Sequence, residues 1–225
     1  MKLVTKVGGS LFRHNLDHQR ISAYAKVLKG IHKQGHQVVV VAGGGECART
    51  YIGAARVFGA NEAQCDQIAI QVTRLNAQLL ISAIGDDAFP EVAESVEDLR
   101  KYFTAGRIVV MGGLQPAQST DAVAAIVAES IAAGLLVKTI DAPGICAKDP
   151  KKYPDAKMLT EIRVQELLKL IRDKPMIAGS YELMDPIAVR VIERSKIRCW
   201  VVSGDDPTNI KKVLDGKHVG TRVVA

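Results

Sequence analysis

The feature that most constrains this chain is a series of short, β-branched apolar runs that each break off into glycine. Val38-Val39-Val40-Val41-Ala42 runs straight into Gly43-Gly44-Gly45, Ile108-Val109-Val110-Met111 into Gly112-Gly113, and the opening run, 2–7, into Gly8-Gly9. A continuous apolar run of this length belongs to a strand buried on both faces, which a parallel sheet with helices on each side provides. Segments of helical period separate the runs. Residues 21–34 place Ile21, Tyr24, Val27, Leu28 and Ile31 on one face and stop at Gly35; 46–58 and 61–84 follow, the latter with Ile68, Val72, Leu75, Leu79 and Leu80 in line. The alternation predicts an α/β protein built on a largely parallel sheet.

Further along, 121–133 reads as an Ala-rich helix capped by Ser119 or Thr120, and 135–139 as a strand. Pro143, Gly144, Pro150 and Pro154 make 140–157 a long irregular loop of the length often given to function. Helices at 160–173, 186–195 and 207–214 and strands at 198–202 and 221–224 complete the reading. With 225 residues, 48% hydrophobic, the chain is expected to form one domain, 1–225.

Composition excludes several classes. No apolar run approaches the ~20 residues of a membrane span, and 1–10 lacks the apolar stretch of a signal peptide, so a cytoplasmic protein without a membrane partner is expected. Cys47, Cys65, Cys146 and Cys199 form no CxxC pair, which argues against a disulfide framework and a structural zinc site. The net charge of +6 comes from dispersed lysines and arginines with only 4% aromatics, so nucleic acid is not the expected partner. A phosphorylated small substrate accounts for the positive balance.

The glycine junctions carry the chemistry. Lys6-Val7-Gly8-Gly9-Ser10 ends the first strand, where bare backbone lets amides approach phosphate oxygens and a lysine neutralises their charge, although a glycine pair there also serves an ordinary turn. Gly43-Gly44-Gly45 leads into the positive end of a helix, with Arg49 four residues on, either reaching back to the same anion or simply solvated. Gly112-Gly113 opens onto Leu114-Gln115-Pro116-Ala117-Gln118-Ser119-Thr120-Asp121, where amides, hydroxyls and a carboxylate converge before a helix. Neither GxxxxGK[ST] nor GxGxxG occurs. Three such junctions point to two phosphorylated ligands meeting at one edge of the sheet, as a phosphoryl transferase requires.

Taken in order, 6–11, 38–45, 112–129 and Gly144-Ile145-Cys146-Ala147-Lys148-Asp149-Pro150 resemble the amino acid kinase superfamily, and within it the archaeal UMP kinases over essentially the full chain. The most specific stretches are Ala48-Arg49-Thr50-Tyr51-Ile52, Gln71-Val72-Thr73-Arg74-Leu75-Asn76-Ala77, Ser119-Thr120-Asp121-Ala122-Val123-Ala124-Ala125, and Gly179-Ser180 through Asp185-Pro186 to Ile192-Glu193-Arg194-Ser195. The resemblance implies a three-layer αβα sandwich in which ATP, with Mg²⁺, phosphorylates UMP to UDP, and a homo-oligomer, a hexamer built from dimers. It implies that Gly8, Gly9, Ser10, Gly45 and Arg49 line the ATP phosphates, with Asp141, Cys146 and Asp149 in the ATP loop. It places Gly44, Leu114, Gln115, Pro116, Ala117, Gln118, Ser119 and Thr120 around UMP, with Asp66 accepting the ribose hydroxyls, and makes Lys6 and Asp121 the catalytic pair; no residue is assigned to a metal. Another phosphomonoester acceptor, such as isopentenyl phosphate, and a non-catalytic nucleotide or oxyanion binder are the competing readings.

The nucleotide loop departs from the family pattern. Where such kinases read Thr-Asn-Val-Asp-Gly-Val-Tyr, this chain has Ile140-Asp141-Ala142-Pro143-Gly144-Ile145-Cys146, replacing a hydroxyl, an amide, a carboxylate and an aromatic ring. Gly and His of the acceptor loop are likewise replaced by Ala117 and Gln118. Stacking on an aromatic ring is worth ~1–3 kcal/mol per base in single-strand binding. Donor selectivity is therefore expected to be weak: steady-state rates with ATP and GTP should be comparable, and tight, strictly ATP-selective binding would contradict this reading of the loop.

Overall fold

A computed structural model describes residues 1–8, 11–147, 155–171 and 183–225. In chain order the elements are β1 (Lys2–Val7), α1 (His18–Lys33), β2 (Gln37–Ala42), α2 (Gly45–Val57), α3 (Glu62–Ile84), α4 (Val96–Phe103), β3 (Val109–Met111), α5 (Thr120–Ser130), β4 (Leu135–Ile140), β5 (Glu161–Arg163), α6 (Val164–Ile171), α7 (Pro186–Ser195), β6 (Cys199–Ser203), α8 (Thr208–Leu214) and β7 (Thr221–Val224). The strands form one sheet, ordered β3-β2-β1-β4-β6-β7-β5, parallel throughout except where β7 turns back along β6.

Side chains alternate across each strand and divide the interior into two cores. Val38, Val40 and Ala42 of β2 pack with Tyr24 and Leu28 of α1, Leu80 of α3 and Ile210 of α8; Val39 and Val41 face the other way, toward Val123 of α5, Leu167 of α6 and Val189 of α7. Helices on both faces of the buried, largely parallel sheet expected from the apolar runs make the three-layer αβα sandwich that the family resemblance implied. Because β3, β2, β1, β4 and β6 are parallel, their C-terminal ends lie along one edge. The chain that leaves β3 returns to β4 through α5, which packs across β1, β2 and β4 and so brings its first turn over the middle of that edge.

Local chemistry sets the helix ends. Asp17 accepts the Gln19 and Arg20 amides, so α1 starts three residues before the first apolar position of its pattern. Asn61 and Gln64 form a reciprocal capping box at the head of α3. That helix has the length and composition to cross a membrane by those measures alone, yet Ile70, Val72, Ala77, Leu80 and Ile84 are buried in the protein.

Four expectations are corrected. The helix assigned to 160–173 begins as strand β5, where Ile162 is buried between exposed Glu161 and Arg163 and pairs with β7; three residues are too few for period-two alternation to stand out from the helical apolar pattern that follows. Its last two residues, 172–173, lie outside the described residues. α5 stops at Ser130 instead of 133 because Ala132 adopts φ +50°, which breaks the helix before Gly134. α4 was not foreseen: Ser95 caps it and it buries only Leu99 and Tyr102, a weak periodic signal. The loop expected at 140–157 starts one residue later, because Ile140 still pairs with Ser203 as the end of β4; from 141 on its described parts are irregular, and it is pinned where the Thr221 hydroxyl accepts the Ile145 amide at 2.8 Å and donates to the Leu159 carbonyl.

Since α3 carries several residues of the site described next, its start is a sensitive place to loosen it. Asn61→Ala removes the exposed cap and should lower unfolding free energy by ~1 kcal/mol, within the ~0.5–2 kcal/mol span of N-cap substitutions. Urea unfolding measures this; no change in midpoint would show that packing alone fixes the start of α3.

Candidate active site

The three glycine junctions end β3, β2 and β1, which are neighbours in the sheet, and the loop after β4 lies next to β1 on the other side. At Gly8, Gly44 and Gly112 the glycine has a local cause. A Cβ on Gly8 would sit 2.6 Å from the Thr139 carbonyl oxygen, and one on Gly112 would meet the Thr73 hydroxyl at 2.5 Å and the Arg74 nitrogen at 2.8 Å. A Cβ on Gly44 would lie 2.5 Å from Ala48 Cβ. The missing side chains thus let the loops press against α2, α3 and β4. Gly45 opens α2 at φ +68°, and the Gly44 cap offers the first amides of α2 no side-chain acceptor. Arg49 is exposed on α2, a turn beyond Gly45.

α3 holds the loops after β2 and β3 together. Asn76 Nδ2 donates to the Gly43 carbonyl at 2.8 Å and to the Gly44 carbonyl at 3.2 Å. The Thr73 hydroxyl accepts the Gly113 amide at 2.7 Å while donating to the Ile70 carbonyl at 2.6 Å. Two turns before Thr73, Asp66 Oδ2 accepts the Ala117 amide at 2.8 Å, fixing a residue with φ +63°. Leu114 packs against the core, Gln115 and Ser119 are exposed, and Pro116, Gln118 and Thr120 are half-buried. Ser119 caps α5 through the Ala122 amide. The 112–120 loop is therefore held at both ends and in the middle, and Asp66 keeps one carboxylate oxygen beyond this tie.

At the centre lies a buried charge cluster. Lys6 of β1 and Lys138 of β4 are register partners and point to the same face of the sheet, under the first turn of α5. Between them stands Asp121. Its Oδ2 accepts a hydrogen bond from Lys138 Nζ, and Lys6 Nζ lies 3.3 Å from Oδ1. That second contact is the looser of the two, an ion pair by distance. Burial by itself would push the Asp121 carboxyl up; the ammoniums of Lys138 and Lys6 outweigh it and hold the group below the usual carboxylate range. Burial pulls Lys138 down, opposed by Asp121.

Among the described residues no metal site accompanies the cluster. Both Asp121 oxygens face ammonium groups, and no three His, Cys, Asp or Glu side chains converge among the described residues. Mg²⁺ held by this chain's own described ligands does not fit the arrangement.

On the other side of β1, Asp141 is exposed at the start of the loop after β4, whereas Cys146 is buried, its thiol 3.8 Å from the Gly144 carbonyl and its backbone bridged to Met158. Gly9, Ser10 and Asp149 lie outside the described residues, as do Gly179 and Ser180.

An amino acid kinase family profile matches residues 1–203, nine-tenths of the sequence in which these junctions and the charge cluster stand. The chain belongs to the amino acid kinase family. Among similar proteins, the uridylate kinase of Methanothermobacter thermautotrophicus is 46% identical over 224 residues, covering 100% of this chain and 99% of that one. The uridylate kinase of Methanobrevibacter smithii is 43% identical, with 100% of both chains covered. Among solved structures, uridylate kinase from Archaeoglobus fulgidus superimposes with a TM-score of 0.89 at 38% identity over 100% of each chain. A UMP kinase from Bacillus anthracis, at 19% identity and a TM-score of 0.83 over 99% of this chain and 95% of that one, shares the fold.

This amino acid kinase therefore brings together Lys6, Asp121, Gly8 and Gly44 with the 112–120 loop. Sequence reasoning missed Lys138, Thr73 and Asn76 as parts of the site. A lysine inside an otherwise apolar strand, Leu135-Leu136-Val137-Lys138, was the available signal, since a lysine buried there needs a partner. Thr73→Val keeps the shape but orphans the buried Gly113 amide, and leaving such a donor unpaired costs ~1–3 kcal/mol. Urea unfolding should show that loss, and hydrogen exchange at Gly113 should accelerate. Unchanged protection at Gly113 would mean that another acceptor takes over.

Proposed function

We propose that this kinase transfers the γ-phosphoryl group of ATP to UMP, giving UDP and ADP. The observation that carries the reading is full-length identity of 42–46% to archaeal proteins named uridylate kinase. The site is compatible with it. The loop at 112–120, tied to Asp66, and the junction at Gly44 lie on one side of Lys6, and the loop after β4 lies on the other. An acceptor phosphate on the first side and a donor on the second would meet above the end of β1.

In this reading an oxygen of the UMP phosphate attacks the γ-phosphorus as the bond to the β,γ-bridging oxygen breaks and ADP leaves. Little covalent work falls to the protein; it positions the two nucleotides and stabilises charge. Lys6, 13% exposed at the end of β1, presents its ammonium to the equatorial oxygens. Asp121 orients that ammonium, and the amides at Gly44 and Gly45 face the phosphates at the positive end of α2, while the Gly8 amide donates to the Thr139 hydroxyl at 2.9 Å and fixes the end of β1. Mg²⁺ arrives as part of the substrate, on the phosphates of ATP, and neutralises part of their charge. The second oxygen of Asp66 takes a ribose hydroxyl while the first keeps the loop in place.

Assembly fits the same reading. α2 and α3 leave Tyr51, Val57 and Leu75 exposed, and Phe58 follows α2 at 87% exposure; a second copy of the chain would cover such side chains, as the homo-oligomer expected from the family requires.

The decisive measurement is ADP release with Mg-ATP and a panel of acceptors: UMP, CMP, AMP, GMP and isopentenyl phosphate. UMP should give the highest kcat/KM. Turnover of isopentenyl phosphate with no nucleoside monophosphate accepted would overturn the acceptor, and no turnover with any of them would favour a binding protein.

A further inference from the structure

The described parts of the site leave one strongly buried, charged side chain with no assigned task, Lys138. Its side chain is 4% exposed, against 13% for Lys6, so the two register partners are not equivalent: Lys6 can reach a ligand at the sheet edge, and Lys138 is sealed beneath α5. Lys138 Nζ donates both to Asp121 Oδ2 and, at 2.7 Å, to the Leu183 carbonyl in the segment that leads to α7. It is thus anchored from a third element, independently of Lys6.

We propose that Lys138 is a positioning residue for phosphoryl transfer, which holds the Asp121 carboxylate so that it orients Lys6 without neutralising it. The inference rests on the reading that Lys6 serves the phosphoryl group in transfer. A lone Lys6–Asp121 pair would be a closed ion pair of zero net charge, and its carboxylate would be free to turn a hydrogen-bonding lone pair onto the ammonium. With Lys138 on Oδ2, the carboxylate is shared. Oδ1 stands 3.3 Å from Lys6, a looser contact than the one Lys138 makes to Oδ2, and two ammoniums around one carboxylate leave a net positive charge below the place where phosphoryl oxygens gather. Charge fixed in advance in a site screened from water is the kind that stabilises a transition state most effectively. Lys138 does this without touching substrate.

The test is steady-state kinetics, per folded enzyme, of Lys6→Met, Lys138→Met, Asp121→Asn and the double variant Lys138→Met/Asp121→Asn. Lys6→Met should lose ~10²–10³ in kcat, as removal of a preorganised charge donor does. Lys138→Met should lower kcat by ~10–100-fold, the scale for partners that orient a reacting group, with KM for both substrates unchanged. A brace that only stabilised the fold would lower the unfolding midpoint and leave kcat of the folded enzyme intact. Once Asp121 is neutral, Lys138 has no carboxylate to hold, so the double variant should match Asp121→Asn within about twofold, the margin for sites that add nothing further. Retained kcat in Lys138→Met overturns the proposal, as does a double variant slower than Asp121→Asn by the full Lys138→Met factor. Should Lys138→Met fail to fold because it strands a buried carboxylate, the double variant, which leaves only the partly exposed Lys6 without its carboxylate, decides against Asp121→Asn alone. Retained kcat in Lys6→Met would remove the reading of Lys6 and this proposal together; a slow Lys6→Met beside a normal Lys138→Met would remove this proposal alone.

Discussion

The site depends on a carboxylate buried between two lysines. Taking three charged groups out of water is costly, and neither lysine would tolerate its position on a buried strand without Asp121. The pairing is set by the fold at long range: Lys6 and Lys138 are 132 positions apart in sequence and side by side in the sheet, and Asp121 reaches them because α5 crosses back over β2, β1 and β4. The carboxyl of Asp121 titrates below its unfolded value, so its contribution to stability is complete above the ordinary carboxylate range and is lost as pH falls through the lowered folded value.

Around that cluster the protein uses α3 as a rigid support. Asp66, Thr73 and Asn76 stand along one side of α3 and bind the backbone of the loops after β2 and β3. Loops placed on a helix that is capped at its head and buried along one face are held to fixed positions. The same contacts explain glycine at 44, 112 and 113, where neighbouring side chains of α2 and α3 occupy the space a Cβ would take. The loop after β4 is supported differently, by Thr221 of β7, with Cys146 turned into the protein. Two loops with separate supports, one on each side of Lys6, are suited to two ligands that must bind independently and meet at one point.

Much of this was legible in the amino-acid sequence. Runs such as Val38 to Ala42 can be satisfied only by a sheet covered on both faces, and glycines at their C-terminal ends mark the edge where ligands approach. The order of motifs placed the chain in its family, and Lys6, Asp121 and Asp66 were named before any geometry. Short elements were not legible: β5 has one buried residue and α4 two, too few to register as a period.

Tertiary structure alone decided how the named residues act. Asp66 was expected only to accept ribose hydroxyls, yet it also holds the Ala117 amide, because the loop after β3 folds back onto α3. Gly112 and Gly113 read as ligand space and are fitted to Thr73, Arg74 and Ile70. Lys138 drew no attention at all, since a lysine in a strand gains its meaning only from what crosses over it. Local pattern determines which segments become strands and helices because the backbone and its nearest neighbours set that preference. Which carboxylate meets which ammonium is settled by strand order and by the path of α5, and no local window of sequence contains either.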